Sequence, residues 1–171
     1  MKLLLSIILC SSLSYGAIDN INSFQAEFTQ SVTDDKNVSI EYNGLIAAKK
    51  PQNAVWNYLM PIKKDVYISK YKVTVVEPEI EQVIIRRIES NFDFFILIKN
   101  AVKVNDNTYE ANYKETKFMI KIDNSLIESI SYKDEFDNDV KIIFRNQKQN
   151  IEILDSKFIA KYPVEFDIIR D

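Results

Sequence analysis

The chain has 171 residues, of which 46% are hydrophobic and 12% aromatic, enough apolar side chain to bury a core and to exclude wholesale disorder. Its 22 basic and 25 acidic residues leave a formal net charge of -3, which gives no electrostatic basis for a nucleic-acid partner. The absence of histidine excludes Ser-His and Cys-His hydrolases and most zinc or copper sites, and two glycines are too few for a P-loop or a dinucleotide-binding fingerprint, so we predict no catalytic residue, no metal site and no cofactor.

A cleavable export signal is predicted at the N-terminus. The basic start Met1-Lys2 precedes an apolar run at residues 3–10, and small residues follow at 14–17 before the chain turns polar. The apolar run is too short to span a membrane. We therefore predict a signal peptide over residues 1–16, cleaved from a single domain of residues 17–171 that works in the periplasm of a two-membrane bacterium. A buried N-terminal helix of the mature fold is the alternative.

Alternation of apolar and polar side chains predicts β-strands along most of the remaining chain. Phe24, Ala26 and Phe28 share one face of the first such segment, and Gln25 and Glu27 lie on the other. The same pattern recurs, with polar turns between the segments, at residues 38–42, 54–58, 66–68, 73–75, 118–122 and 142–144. Since no segment is typical of a helix that crosses between parallel strands, the residues predict a mainly β fold, a large antiparallel meander closed or nearly closed into a barrel.

Two segments break this alternation. Residues 91–99 are apolar nearly throughout, and Asn91 is placed to cap a helix there. A buried strand is the alternative, because a short apolar run does not distinguish the two. Residues 19–22 are compatible with a short N-terminal helix.

The polar residues indicate no active site. Glu77, Glu79 and Glu81 alternate beside a proline, and the acidic turn at residues 134–139 lacks the glycine and the spacing of a calcium loop, so we interpret it as a solvated hairpin tip. Asn37 lies in an Asn-x-Ser sequence within a predicted turn, a candidate glycosylation site that depends on the host. The many inward aromatic residues fit either an apolar ligand or a plain packed core, and the residues alone leave both open.

Six short stretches occur in an order that is typical of one family. They are Phe24-x-Ala26-x-Phe28-x-Gln30; Gly44-Leu45 with Lys50-Pro51; Trp56, Tyr58 and Pro61; Glu77-Pro78 with Glu81-Gln82-Val83; Phe94-Phe95-Ile96-Leu97-Ile98; and Phe158 with Pro163. With the export signal, this ordered set resembles the LolA family, periplasmic carriers that ferry lipoproteins to the outer membrane. The resemblance covers most of the mature chain.

The resemblance implies an incomplete antiparallel β-barrel, or half-barrel, in which short helices form a lid over an apolar cavity that receives a lipoprotein's acyl chains. It implies a ligand-binding cavity at Phe24, Phe28, Trp56 and Tyr58, a lid at Phe94, Phe95, Leu97 and Ile98, and a latch at Lys50. Members of the family commonly have Arg at the latch, so Lys50, which lacks the planar fork of Arg, is expected to form a weaker or differently built one. Ala54 stands where the family has Phe, which is expected to widen the cavity or shift its lining.

The partners implied by the resemblance are outer-membrane lipoproteins as cargo, an inner-membrane ATP-driven release complex and an outer-membrane acceptor; the carrier is expected to be a monomer. Two other functions stay open at this point. One is a periplasmic module of the same half-barrel architecture that senses lipoproteins or lipids, which a stable membrane-protein partner would favour. The other is an enzyme on the same scaffold, which two convergent carboxylates in the cavity would favour.

Overall fold

The computed structural model describes residues 20–87 and 93–170. The predicted signal peptide, residues 1–16, lies outside the described residues, as does Asn91, the predicted helix cap. The predicted helix over residues 19–22 is wrong in its described part, because Asn20 lies in a turn and the chain then leads directly into a strand. Ile21 is buried in the core, and Asn22 donates its backbone N–H to Oδ1 of Asn150 at 2.7 Å, so both residues are held in an irregular segment.

The described residues form twelve strands, one α-helix and two 3₁₀ helices. The strands are β1 (Ser23–Thr33), β2 (Ser39–Lys49), β3 (Asn53–Met60), β4 (Lys64–Ser69), β5 (Lys72–Glu77), β6 (Gln82–Arg87), β7 (Val102–Asn105), β8 (Thr108–Tyr113), β9 (Thr116–Asp123), β10 (Leu126–Lys133), β11 (Asp139–Gln149) and β12 (Asp167–Arg170). The α-helix α1 spans Phe94–Lys99, and the 3₁₀ helices span Pro78–Ile80 and Asp155–Phe158. Within this part of the chain, no helix has the length and hydropathy needed to cross a membrane.

All twelve strands belong to one sheet, in the order β12-β6-β5-β4-β3-β2-β1-β11-β10-β9-β8-β7. Neighbouring strands are antiparallel except that β12 pairs in parallel with β6. The edge strands β7 and β12 do not pair with each other in the described chain, so the sheet curves without closing. The predicted mainly β fold and half-barrel are therefore confirmed, with one parallel pair that the sequence did not predict.

The alternation read from the sequence sorts side chains onto an inner and an outer face of this sheet. Phe24, Ala26 and Phe28 point to the inner face and are 0%, 4% and 3% exposed. They pack there in one core cluster with aliphatic side chains such as Ile142 of β11, the strand paired with β1, and Ile120 of β9. Full burial of one such aromatic or branched side chain contributes about 1.5–3 kcal/mol, so the inner face carries most of the core.

The segment after β11 crosses the outer face of the sheet and covers its middle strands. Ile153 is buried against Ala47 and Val55, which point away from the main core. Lys49 fastens the same segment, since its Nζ lies 2.7 Å from Asp155 Oδ1 and donates to the carbonyl oxygen of Ile153 at 2.9 Å. The middle of the sheet is therefore covered on both faces, and the inner face is left to hold the candidate site.

Candidate functional site

A cavity of about 230 Å³ lies between α1 and the inner face of the sheet. Its wall is mostly apolar and comes from residues far apart in sequence. The lining residues are Ile46, Ala48, Gln52, Asn53, Ala54, Trp56, Ile68, Asp93, Phe94, Phe95, Leu97, Phe118, Ile130, Tyr132 and Ile142. The helix forms one side of this cavity and the curved sheet forms the other, so access depends on where the helix sits.

Helix α1 forms because an apolar run follows a good capping residue. Asp93 is the N-cap, and its Oδ1 accepts hydrogen bonds from the backbone N–H groups of Phe95 at 2.8 Å and Ile96 at 3.3 Å. The helix predicted for this run is confirmed, but Asp93 rather than the predicted Asn91 is its N-cap. Phe95, Leu97 and Ile98 are buried whereas Ile96 is 52% exposed, so the helix lays one side on the sheet and turns another to solvent.

The aromatic residues predicted to line the cavity lie at different depths. Trp56, the single tryptophan of the chain, lines it. Phe28 lies behind Trp56, with ring centroids 4.9 Å apart at an interplanar angle of 73°. Phe24 is fully buried and contacts the Phe94 ring of the helix at 6.0 Å. Of the four predicted residues, therefore, the structure brings only Trp56 to the cavity surface.

Tyr58 lies next to the cavity rather than in its wall. Its ring packs edge-on against Phe28 at 5.1 Å, and its hydroxyl donates to Oε1 of Gln30 at 2.9 Å. Burial, with smaller contributions from Tyr132 and Tyr42, raises the pKa of Tyr58 to about 12. Burial and then Asp134 raise the pKa of Tyr132 as well. Both phenols are therefore neutral at physiological pH.

Three of the four predicted lid residues face the cavity: Phe94, Phe95 and Leu97 line it. Ile98 is 1% exposed and packs within the main core instead, where it fixes the end of the helix. The Phe94 and Phe95 rings are in edge contact at 5.7 Å. The helix thus presents a mostly aromatic surface to the space below it.

Lys50 approaches the helix from the loop after β2. Its Nζ lies 5.8 Å from the centroid of the Phe95 ring and donates to Oδ1 of Asn22 at 3.1 Å. Its backbone N–H also donates to the carbonyl oxygen of Asn22 at 2.9 Å. An exposed cation–π contact contributes about 0.5–1 kcal/mol, so this lysine ties the helix to the rest of the chain only weakly.

The wall of the cavity is mostly hydrocarbon, and few of its side chains are polar. Asp93 is the carboxylate in its wall, and Oδ1 of Asp93 already caps the helix. Among residues 20–87 and 93–170, no group of three or more acidic or thiol side chains could hold a metal ion. The convergent carboxylates that would have favoured an enzyme are not found among the described lining residues.

Sequence reasoning missed much of the opposite wall. Phe118, Ile130 and Ile142 come from the second half of the chain and face the helix only because the sheet curves. The alternation at residues 118–122 and 142–144 predicts strands at Phe118 and Ile142, whereas no strand was predicted around Ile130, and nothing local indicates which strand lies across from α1. A local signal did exist for Asp93, since Asp directly before an apolar run is a typical helix start.

A half-barrel with a helix over an apolar cavity defines a protein that binds hydrophobic ligands, and the comparisons with known proteins narrow this class. The sequence profile described as "Outer membrane lipoprotein carrier protein LolA" matches residues 19–107, slightly more than half of the chain. A Campylobacter jejuni protein named "Outer-membrane lipoprotein carrier protein" is 39% identical over 151 residues, 88% of each chain. One of the same name from Wolinella succinogenes is 30% identical over 171 residues, 99% of each chain.

The fold agrees with these sequence matches. The crystal structure of a LolA-superfamily protein from Nitrosomonas europaea is similar with a TM-score of 0.52 at 10% identity, and the match covers 84% of this chain and 94% of that one. At that identity the similarity concerns the fold. The sequence profile and the two relatives show that the chain belongs to the LolA family, and the fold is consistent with this.

Proposed function

We infer that this protein is a periplasmic carrier that binds the acyl chains of lipoproteins released from the inner membrane and delivers the lipoproteins to the outer membrane. The observation that carries the proposal is the mostly apolar cavity of about 230 Å³ between α1 and the sheet. The names of the Campylobacter jejuni and Wolinella succinogenes relatives, both outer-membrane lipoprotein carrier proteins, support the same function.

The cargo chemistry explains why such a carrier is needed. At about 0.8 kcal/mol for each methylene, a long acyl chain in water costs on the order of 10 kcal/mol, and several chains cost a multiple of that. A lipoprotein therefore does not cross an aqueous compartment unaided. The carrier has to bury these chains and still release them, which favours an open half-barrel with a movable cover over a closed, fully packed barrel.

In this proposal α1 is the lid and moves when cargo enters. A volume of about 230 Å³ is below the roughly 300–1,000 Å³ of pockets that hold drug-sized ligands, so the acyl chains fit only after the helix is displaced. The helix has six residues, and helices of that length are not stable without tertiary contacts. Because Phe94 covers Phe24, displacement of the lid also makes Phe24 accessible to the cargo.

The remaining proposed residues have supporting roles. Trp56 contacts the chains directly, Phe28 holds Trp56 in position, and Tyr58 lies where the chains leave the cavity. Phe95, Leu97 and Ile98 seat the lid, and Lys50 acts as a weak latch on Phe95.

Delivery requires a donor and an acceptor. We propose that an inner-membrane ATP-driven complex loads the carrier and that an outer-membrane acceptor receives the cargo. Residues 1–16 direct export to the periplasm and are removed, and residues 17–171 act as one domain. One cavity serves one cargo molecule, so a monomer suffices.

The position of Trp56 provides a direct test. A synthetic peptide with a triacylated N-terminal cysteine and brominated acyl chains should quench the fluorescence of Trp56, since bromine quenches on contact and this tryptophan lines the cavity. Ile68→Glu puts a charge into the same wall and should weaken binding at least about tenfold, because an unpaired charge in an apolar site is costly. Ile62→Glu, at a residue that is 51% exposed, is the matched control and should bind as the wild type does.

Folding is checked in the same samples by the urea midpoint. If Ile68→Glu fails to fold, Ala48→Leu replaces it, because this change fills part of the cavity and removes no existing side chain. The proposal is wrong if the brominated peptide leaves Trp56 fluorescence unchanged, or if a folded cavity variant binds as tightly as Ile62→Glu.

A further inference from the structure

A cluster of three tyrosines and one lysine lies on the inner face next to the lidded cavity. We call Tyr42, Tyr58, Tyr132 and Lys64 the tyrosine cluster. Tyr58 follows Trp56 by two residues on β3, so it lies roughly 7 Å farther along the strand from the cavity wall. Tyr132 belongs to both regions, since it lines the cavity and also raises the pKa of Tyr58.

Lys64 contacts two of the three tyrosine rings in this cluster. Its Nζ lies 4.8 Å from the centroid of the Tyr58 ring and 5.7 Å from that of Tyr42, and the two rings are in edge contact at 5.8 Å. Within residues 20–87 and 93–170, no carboxylate forms an ion pair with Lys64, although Glu77 at the end of β5 is nearby in register. The ammonium is half-buried against aromatic faces and keeps its N–H donors available.

Two phenols in the cluster are also available. The Tyr58 hydroxyl is engaged with Gln30, whereas among the described residues the hydroxyls of Tyr42 and Tyr132 have no hydrogen-bond partner. Both side chains are half-buried. The cluster therefore offers one ammonium and two free hydroxyl donors beside a cavity whose wall is mostly apolar. The other polar side chains in that wall are those of Gln52, Asn53 and the capping Asp93.

Donors at this position match the part of an acylated anchor that follows its hydrocarbon chains. Each chain ends in an ester or amide carbonyl, an acceptor, and that carbonyl has to lie just outside the apolar cavity when the chain lies inside it. We propose that the tyrosine cluster binds the ester and amide carbonyls that join the acyl chains to the cargo's N-terminal residue. This inference rests on the proposed function. It adds to the apolar cavity, which holds the acyl chains, a neighbouring polar subsite for the groups that link those chains to the cargo.

Such a subsite would give the carrier selectivity for a lipoprotein anchor over bare hydrocarbon. A hydrogen bond contributes only about 0.5–1.5 kcal/mol net, so a few of them discriminate without preventing release. A head group with a full negative charge would be expected to meet more than one cation here, yet Lys64 is the only charged residue of the cluster.

The test compares two brominated lipopeptides of equal chain length, one with ester and amide linkages and one with ether and alkyl linkages that lack the carbonyls. Quenching of Trp56 should show that the wild type binds the carbonyl form about tenfold more tightly, the effect of one or two hydrogen bonds. The double variant Tyr42→Phe with Lys64→Met should lose this preference and still bind the ether form as the wild type does. Lys63→Met, at the exposed neighbouring lysine, is the matched control and should keep it.

Three results would overturn the inference while leaving the carrier function intact. The first is that the wild type binds both lipopeptides equally. The second is that the control variant loses the preference as fully as the double variant. The third is that a brominated phospholipid with an anionic head group binds more tightly than the lipopeptide in a way that depends on Lys64, which would assign the cluster to phosphate binding. Failure of both lipopeptides to quench Trp56 would instead contradict the carrier function itself.

Discussion

Gly44 is one residue that sets the position of the aromatic rings next to the cavity, those of Phe28, Trp56 and Tyr58. A Cβ at this position would lie 2.8 Å from the Phe28 ring and would also clash with the carbonyl oxygen of Asn57. The Phe28 ring therefore occupies space that a side chain at position 44 would need, and from there it packs edge-on against both Trp56 and Tyr58.

Gly44→Ala should destabilise the protein by about 1–3 kcal/mol, the usual cost of overpacking a core. The change forces the Phe28 ring away from β2, and Trp56 moves with it, so the emission maximum of Trp56 should shift in the folded protein. Urea denaturation and fluorescence measure both effects. Glu41→Ala, at an exposed residue of the same strand, is the control; equal midpoints for the two variants would show that no close approach exists at Gly44.

Tyr58 should make the protein sensitive to alkaline pH. The folded state holds the phenol proton up to a pKa of about 12, whereas the unfolded chain releases it near the ordinary value of 10.0. The stabilisation is complete below pH 10 and is lost as the pH rises through 12, a change on the order of 2 kcal/mol in the free energy of unfolding.

Tyr58→Phe should flatten this part of the pH profile and lower stability at pH 8 by about 1 kcal/mol, because Oε1 of Gln30 loses its donor. Urea midpoints measured from pH 8 to 12 test both expectations, with the same change at the exposed Tyr71 as the control. A variant with the wild-type slope above pH 10 would contradict the assignment.

In the proposed function, the lid helix α1 is the element on which transport depends most. It is short, its buried side chains lie on one side only, and the proposed latch is a single lysine whose Nζ lies over the Phe95 ring. A planar guanidinium makes several directed hydrogen bonds and stacks on rings, which an ammonium does not match. The lid should therefore open readily and should tighten if the latch is strengthened.

Lys50→Met should speed hydrogen exchange of the α1 amides by up to about fivefold, the kinetic equivalent of losing roughly 1 kcal/mol. Lys50→Arg should slow exchange relative to Lys50→Met, since Arg keeps the cation and adds donors. Exchange in the core strand β1 is the internal control and should not change. Identical α1 exchange in all three proteins would exclude a latch at this position.

The elements differ in how far the sequence determines them. Strands β1, β3 and β9 could be predicted because their alternation reflects burial of one face, and α1 because an apolar run follows a capping residue. The parallel pairing of β12 with β6 could not, since it depends on a segment that crosses the outer face without any periodic pattern. Alternation likewise predicted that Phe24 and Phe28 lie on the inner face. It could not predict how deeply they are buried, because that depends on the curvature of the sheet and on the close approach at Gly44.

For the molecule as a whole, the open sheet and the short helix over it determine what has to move when a ligand enters. The inner face holds a core to which α1 itself contributes Phe95, Leu97 and Ile98, so displacement of the helix costs side-chain packing but breaks no pairing between strands. In the proposed function, the acyl chains enter when this one short helix moves, and the helix returns to its packed position when the cargo leaves.

The most direct test of the carrier function is transfer from a membrane. Inner-membrane vesicles that contain a triacylated lipoprotein and the release complex are incubated with ATP and the mature protein, and the supernatant is analysed by native mass spectrometry. We predict a one-to-one complex of the protein and the intact lipoprotein, absent without ATP and reduced for a folded Ile68→Glu or Ala48→Leu variant. A supernatant that holds only the free protein, with the lipoprotein still in the vesicles, would contradict it.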